Sequence, residues 1–381
     1  MELDGSLTDD QRIILDTFRE YCSRKIDTSY AEWLKSRQFP KWLMKDMADM
    51  FLPSVLGRNG SEKMDEVTLG LISEEMGRWE FPVPAFLSVH FSKVLPLVAN
   101  PDTRAEFLLK FLSGDILISG AFTEPGCGSD SASIRTTATR KDNDFVINGE
   151  KSFISGSGVA DAMIVSVRTG ETGHGHGISL FLADAGSEGI ERYDLRSMAS
   201  IFDGDFGGIR FHDVVVPEGN LVGSENHGFN LLMHTLNTQR VHVALYSLGL
   251  AERSLQDAVV YARDRRTFGY PISKHEAVSF RIAEDWTRIE SAKLLAYKAL
   301  AMNEKGLENS SECAGVKWFG CETAFDAVSH ALQTFGASGY VTLSPMERRF
   351  RAARGFLIGD GTPDIQKLII SRNLFGRDFA P

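Results

Sequence analysis

The segment Gly359-Asp360-Gly361-Thr362-Pro363-Asp364-Ile365-Gln366 sets a carboxylate between two glycines, ahead of an apolar run that reads as a helix. Glycine lets the backbone approach a ligand closely, and Thr362 can cap the start of the helix. A carboxylate presented in this way is a candidate general base. A second segment, Thr123-Glu124-Pro125-Gly126-Cys127-Gly128-Ser129-Asp130, follows a predicted strand. Its glycines and hydroxyls make a loop whose backbone donors can face a planar or anionic ligand. On composition alone, a hydrophilic connection between strands is the better reading of that loop. Gly126 and Gly128 do not complete Gly-x-Gly-x-x-Gly and no P-loop occurs, so neither of those phosphate sites is supported. His174-Gly175-His176 would chelate a metal only with both imidazoles on one side of a strand. The surrounding glycines point to a loop tip, and no metal site is expected.

The elements that must position these residues change period along the chain. From Leu7 to about Ser113 the pattern is helical, opening on a capping box of Thr8 and Gln11 with Ile13, Ile14, Phe18 and Tyr21 behind it. Further helices are predicted at Trp42–Phe51, Asp65–Trp79 and Thr103–Leu112. From Ile116 to Val222 short runs rich in Val, Ile and Phe alternate with turn residues, at Ile116–Phe122, Phe145–Ile147, Ser152–Ile154, Ala162–Val167, Ile178–Ala183 and Ile209–Val216. Asn148-Gly149 between two of them predicts a hairpin, since both residues tolerate positive φ. From Asn226 to Leu374 the pattern is helical again, with Val278, Ile282, Trp286 and Ile289 expected on the buried face of one long helix. Helices, then strands, then helices give an α+β protein: an N-terminal helical domain over 1–115, a middle antiparallel β-domain over 116–225 and a C-terminal helical bundle over 226–381.

Composition narrows the function. The 381 residues are 43% hydrophobic and 24% charged, ordinary for a soluble globular protein. The net charge of −10, from 51 acidic and 41 basic residues, argues against broad nucleic-acid binding. No stretch approaches ~18 consecutive apolar residues, so no membrane span is expected. Met1-Glu2-Leu3-Asp4-Gly5 is acidic and lacks the pattern of a secretory or transit signal. The four cysteines, Cys22, Cys127, Cys313 and Cys321, show no Cys-x-x-Cys spacing, so the expected compartment is a reducing cytoplasm.

Four motifs carry a resemblance that covers essentially the whole chain. The loop at 123–130, Ile147-Asn148-Gly149-Glu150-Lys151-Ser152-Phe153-Ile154-Ser155, Arg265-Arg266-Thr267-Phe268-Gly269 and Gly361-Thr362-x-x-Ile365-Gln366 resemble the acyl-CoA dehydrogenase family in order and spacing. The resemblance implies FAD-dependent oxidation of an acyl thioester to its 2,3-enoyl form by a homo-oligomer, a dimer or tetramer. Electron-transferring flavoprotein or oxygen would accept the electrons. It implies flavin or thioester contacts from Thr123 and Ser129. Phe153 stands where the family often has Trp beside the isoalloxazine, and Ser155 where it often has Thr. Arg265, Thr267 and Phe268 resemble residues that reach the FAD of a neighbouring subunit. Gln333 and Gly336, in Gln333-Thr334-Phe335-Gly336-Ala337, with Thr362 and Asp364 beyond them, complete the implied cofactor set. Asn237 and Arg240 fall at substrate positions, where Asn237 replaces an Asp that contacts the pantetheine chain. CoA and an acyl carrier protein share that chain.

The sequence departs from the family at the base. Most members place Glu where this chain has Asp360, and some carry it on the helix after the β-domain, where this chain has Gln239. Asp360 is therefore the candidate at either known location. Burial strengthens a carboxylate as a base, hydrogen bonds to the thioester oxygen stabilise the developing enolate, and the cofactor is the electron sink. Aspartate is one carbon shorter, so ligand or loop must shift for proton transfer. Three readings stay open: a dehydrogenase of a cyclic or branched acyl thioester, a relative of nitroalkane oxidase, whose base is Asp, or a weakly active subunit of a heteromeric dehydrogenase. The oxidase carries an Arg shortly after its Asp, where this chain offers Lys367.

Overall fold

A computed structural model of the chain describes residues 7–57, 61–173, 176–342, 344–376 and 378–380. His174 and Gly175 of the His-Gly-His tract lie outside the described residues. The chain forms two compact units, one of Met1–Tyr30, Asp65–Phe81 and Asn237–Pro381, the other of Ala31–Met64 and Pro82–Leu236.

The first unit is helical. Its elements are α1 (Asp9–Tyr21), α2 (Glu66–Arg78), α3 (Gly228–Asp264, in this unit from Asn237), α4 (Glu276–Glu304), α5 (Ser310–Phe335), α6 (Pro345–Phe356) and α7 (Pro363–Phe375). The predicted capping box opens α1, with the Thr8 side chain accepting from Gln11 N and the Gln11 side chain from Thr8 N. The core interleaves α3, α4, α5 and α6 through Leu248, Leu255, Ile289, Ala292, Ala324, Val328 and Ala353. Alanine on facing helices allows close approach, so the bundle packs on small residues as much as on leucine. Buried charge ties further helices together: Lys293 of α4 lies 2.7 Å from Glu74 of α2 and 3.4 Å from Glu252 of α3. The expected buried face of α4 needs correction. Ile289 is buried, but Trp286 is exposed, and the inward position beside it belongs to Asp285, whose carboxylate is satisfied by His330 Nδ1 at 3.0 Å.

The second unit is built on an eight-stranded sheet: β1 (Ile118–Ala121), β2 (Thr137–Lys141), β3 (Asp144–Ser155), β4 (Ala162–Gly173), β5 (His176–Asp184), β6 (Ile190–Asp194), β7 (Phe206–Pro217) and β8 (Leu221–Val222). The spatial order is β6-β7-β3-β2-β4-β5-β8, with β1 also on β4. Pairing is antiparallel except where β1 and the first residue of β2 run parallel to β4. Helix Val83–Phe91 packs beside β1, and Pro101–Leu112, capped by Asn100, follows it.

The hairpin expected at Asn148-Gly149 is not there. Both residues lie inside the continuous strand β3, and the chain reverses instead at Asp142-Asn143, with Asp142 at φ 56° and Lys141 paired to Asp144. Asn148 serves a β-bulge: its amide donates to Asp213 Oδ1 and its Oδ1 accepts Asp213 N, both at 2.9 Å. Gly149 is needed for close approach, since a Cβ there would meet the Thr136 backbone at 2.6 Å.

Candidate active site

Asp360 sits in the turn between α6 and α7, and the turn is left-handed at two successive residues, Asp360 at φ 57° and Gly361 at φ 94°. Aspartate visits this region at a cost of roughly 1 kcal/mol and stays only where neighbours over-determine it. They do so here. The Asp360 carbonyl accepts from Arg240 Nε (3.2 Å) and Gln366 Nε2 (3.0 Å). The Gly361 carbonyl accepts from Gln366 Nε2 (3.1 Å) and Lys317 Nζ (3.3 Å), and Lys317 also reaches the Phe356 carbonyl at 2.7 Å. Gln366 and Lys317 are buried. At Gly361 a Cβ would lie 2.5 Å from Gln366 Nε2, so only glycine leaves that clamp intact. Thr362 occupies the N-cap of α7, but its side chain makes no capping bond, unlike the expectation; the Gln366 amide already holds the turn.

The clamp aims a half-buried carboxylate at α3. Gln239 Nε2 donates to Asp360 Oδ1 and Oδ2 at 3.3 and 3.1 Å. The two chain positions at which the sequence could have carried a base therefore meet at one place. Arg240, one residue on, is buried; burial pushes its guanidinium down from its ordinary value, against the pull of the Asp360 carboxylate. Asn237, one turn earlier, donates to Asn309 Oδ1 at 3.2 Å. Asp364 is exposed and pairs with Lys367 at 3.6 Å.

In the second unit, Thr123 and the 147–155 motif are joined directly, because the Thr123 carbonyl accepts Ser152 N at 2.8 Å. A buried ion pair, which sequence reading did not find, locks the two motifs together. Lys151 Nζ lies 2.8 Å from Glu124 Oε1 and donates to the Phe122 carbonyl and Ser166 Oγ, both at 3.2 Å. Glu124 also accepts the N–H groups of Arg135 and Thr136 at 2.7 and 3.0 Å. Burial pushes Lys151 down to about 8 against the attraction of Glu124. Burial would raise the Glu124 carboxyl, but Lys151 and the two N–H donors outweigh it and hold it below its ordinary value. Cys127 closes the loop through reciprocal backbone bonds with Glu124, and burial together with Glu124 raises its thiol. Ser129 is exposed. At the β-bulge in β3, Phe153 adopts φ 61° and stands 54% exposed between buried Ser152 and Ile154. Ser155 follows, its carbonyl accepting Ser119 Oγ at 2.6 Å.

The Arg265 motif belongs to the first unit, just beyond the end of α3. Arg266–Thr267 pairs with Tyr270–Pro271 as a short hairpin, with Thr267 Oγ1 3.1 Å from His275 Nε2. At its tip Phe268 has φ 51° and is 92% exposed. Tyr261 stacks on Phe335 at 4.3 Å, which brings the ends of α3 and α5 together, so Arg265, Gln333 and Gly336 share one end of the bundle. Asp360 does not share it: Gln239, which touches Asp360, is ~37 Å from Asp264 along α3 at the helical rise. Of nine non-glycine residues with positive φ among the described residues, Phe153, Phe268 and Asp360 are three. Bulky aromatics are rarely held in this region, and such strain concentrates at ligand sites.

Comparison with known proteins agrees with this layout. Models of the acyl-CoA dehydrogenase N-terminal, middle and C-terminal domains match residues 8–115, 119–214 and 226–375. An acyl-CoA dehydrogenase of Bacillus subtilis is 34% identical over 97% of this chain and 99% of its own. A cyclohex-1-ene-1-carbonyl-CoA dehydrogenase of Geobacter metallireducens is 31% identical over 97% and 98%. The structure of butyryl-CoA dehydrogenase from Megasphaera elsdenii superposes with a TM-score of 0.88 at 28% identity, covering 97% of this chain and 99% of that one. With its helical, β and helical domains in the same order, the chain belongs to the acyl-CoA dehydrogenase family, FAD-dependent oxidoreductases that act on CH–CH groups.

Proposed function

We propose that this chain binds FAD and dehydrogenates an acyl-CoA thioester, with Asp360 accepting the α-proton. The observation that carries the reading is the clamped left-handed turn, which holds a single carboxylate against α3 through donors from Arg240, Gln366 and Lys317. The residues fit the cofactor. Phe153 and Phe268 are exposed aromatics forced into positive φ, and Gly126 and Gly336 leave open space where a Cβ would stand. The candidate flavin contacts are Thr123, Ser129, Phe153 and Ser155 in the β-domain, and Arg265, Thr267, Phe268, Gln333, Gly336, Thr362 and Asp364 in the helical domain. When bound, FAD supplies the acceptor for the hydride that leaves the β-carbon. Asp360 takes the proton at a carboxylate oxygen, and Arg240 keeps a buried positive charge beside it.

The ~37 Å between Asp360 and the Arg265 end of α3 supports a homo-oligomer, dimer or tetramer, in which Arg265 and Phe268 serve a neighbour's flavin. The same reading takes domain limits at 115/116 and 225/226, a cytoplasmic setting and electron-transferring flavoprotein as acceptor. Among the described residues, no helix is long and apolar enough to cross a membrane. A cyclic or branched acyl group suits the shortened base, and a relative named for a cyclic acyl-CoA is consistent with it. No observation favours the oxidase: Lys367 pairs with Asp364 and lies over the Trp318 ring at 4.8 Å. The test is anaerobic mixing of the FAD-loaded protein with short, branched and cyclic acyl-CoA thioesters and with nitroethane. Bleaching of the flavin by a thioester and not by nitroethane is expected; bleaching by nitroethane alone overturns the reading.

A further inference from the structure

We infer that Gln239 is a positioning residue for the base: its carboxamide fixes the Asp360 carboxylate by donating from one nitrogen to both oxygens. The inference rests on the reading of Asp360 as proton acceptor. Gln239 is 2% exposed, and its Nε2 lies 3.1 and 3.3 Å from the two carboxylate oxygens. Its Oε1 is buried and has no hydrogen-bond partner among the described residues. A buried acceptor left unpaired carries the full desolvation penalty of an unmade bond, which an apolar side chain of the same shape would avoid. What the side chain contributes is therefore its donors, and among the described residues they bond Asp360 alone. An amide is also the neutral shape-match of glutamate. A carboxylate at 239 would stand about 3 Å from that of Asp360, and two carboxylates so close share one proton.

The position controls the aim of the carboxylate. A carboxylate on a one-carbon stem has two side-chain torsions, and the Gln239 N–H groups fix the second, which decides where the remaining lone pairs point. The other charged or titratable groups facing this turn are Arg240, whose Nε bonds the Asp360 carbonyl, Lys317, whose Nζ bonds the Gly361 carbonyl, and the buried thiol of Cys321, which senses both Lys317 and Asp360. Lys367 and Asp364 on α7 pair with one another. Arg240 and Lys317 engage backbone carbonyls, whereas Gln239 donates to the carboxylate itself.

The test compares FAD-loaded wild type with Gln239→Met, which keeps the shape and removes the donors. Flavin reduction by a thioester that bleaches the wild type is followed against thioester concentration, with FAD content and thermal midpoint measured alongside. The expected result is kcat lower by about ten- to a hundredfold with KM little changed. FAD should be retained. If the Met variant does not fold, Gln239→Leu serves, since it too removes the donors from a buried position. Wild-type kcat in the folded variant overturns the inference. Asp360→Asn, run in parallel, separates the two readings. If it reduces flavin at the wild-type rate, the base assignment has failed. If it is inactive while Gln239→Met behaves as wild type, only the role of Gln239 has failed.

Discussion

Asp360 is held by its main chain before its side chain is considered, and that order decides how it responds to substitution. Its carbonyl accepts two donors and its φ of 57° is one that aspartate and asparagine tolerate better than glutamate. Restoring the family's usual residue should therefore not improve the enzyme. In Asp360→Glu the added methylene must displace a carboxylate already 3.1 Å from Gln239 Nε2, and the rate of flavin reduction is expected to fall roughly ten- to a hundredfold. Stopped-flow reduction at saturating thioester checks this, and a rate at or above wild type would contradict it. At this scale the sequence showed which residue carries the acid and which glycine follows it. It could not show the company Asp360 keeps: Gln239 is 121 positions away, and Lys317 reads as one more helix lysine until α5 is placed against the turn.

Among the elements, the predictable features were those set by local periodicity and capping. The helix starts at Thr8 and Asp65 came through because their caps are local side-chain to backbone bonds. Asn148-Gly149 misled because local preference for a turn was overridden by sheet pairing on both sides of β3. Trp286 misled because a satisfied aspartate took the inward position on α4. The Glu124–Lys151 pair was invisible because a charged pair in a strand and a loop carries no periodic signal. Removing one partner leaves the other buried and uncompensated, so Glu124→Gln and Lys151→Met should each cost about 3–5 kcal/mol in urea unfolding at pH 7. The Glu124 carboxyl is held below its ordinary 4.5 in the folded protein, so its contribution is complete above that value and is lost as pH falls through the folded one. The stability gap between wild type and Glu124→Gln should therefore narrow on acidification below pH 4.5; a constant gap would contradict the assignment.

For the whole molecule, one chain carries Asp360 and the Arg265–Phe268 hairpin at separated points along α3, ~37 Å apart at the helical rise. On the proposed reading, a complete site draws on a second subunit. Subunits bearing Asp360→Asn, inactive as bases, and subunits bearing Phe268→Ala, weakened in flavin retention, should recover activity when refolded or co-expressed together, because some mixed sites escape both changes. Failure of mixed oligomers to exceed either parent would place both functions in one chain. The proposed role of Asp360 is that of proton acceptor in a flavin-dependent dehydrogenation. Its most direct test is anaerobic reduction of FAD-loaded Asp360→Asn, read at the flavin absorbance with an acyl-CoA thioester that bleaches the wild type. The predicted result is a protein that keeps its yellow cofactor, binds the thioester and loses reduction by at least about a thousandfold. Bleaching at the wild-type rate would contradict it.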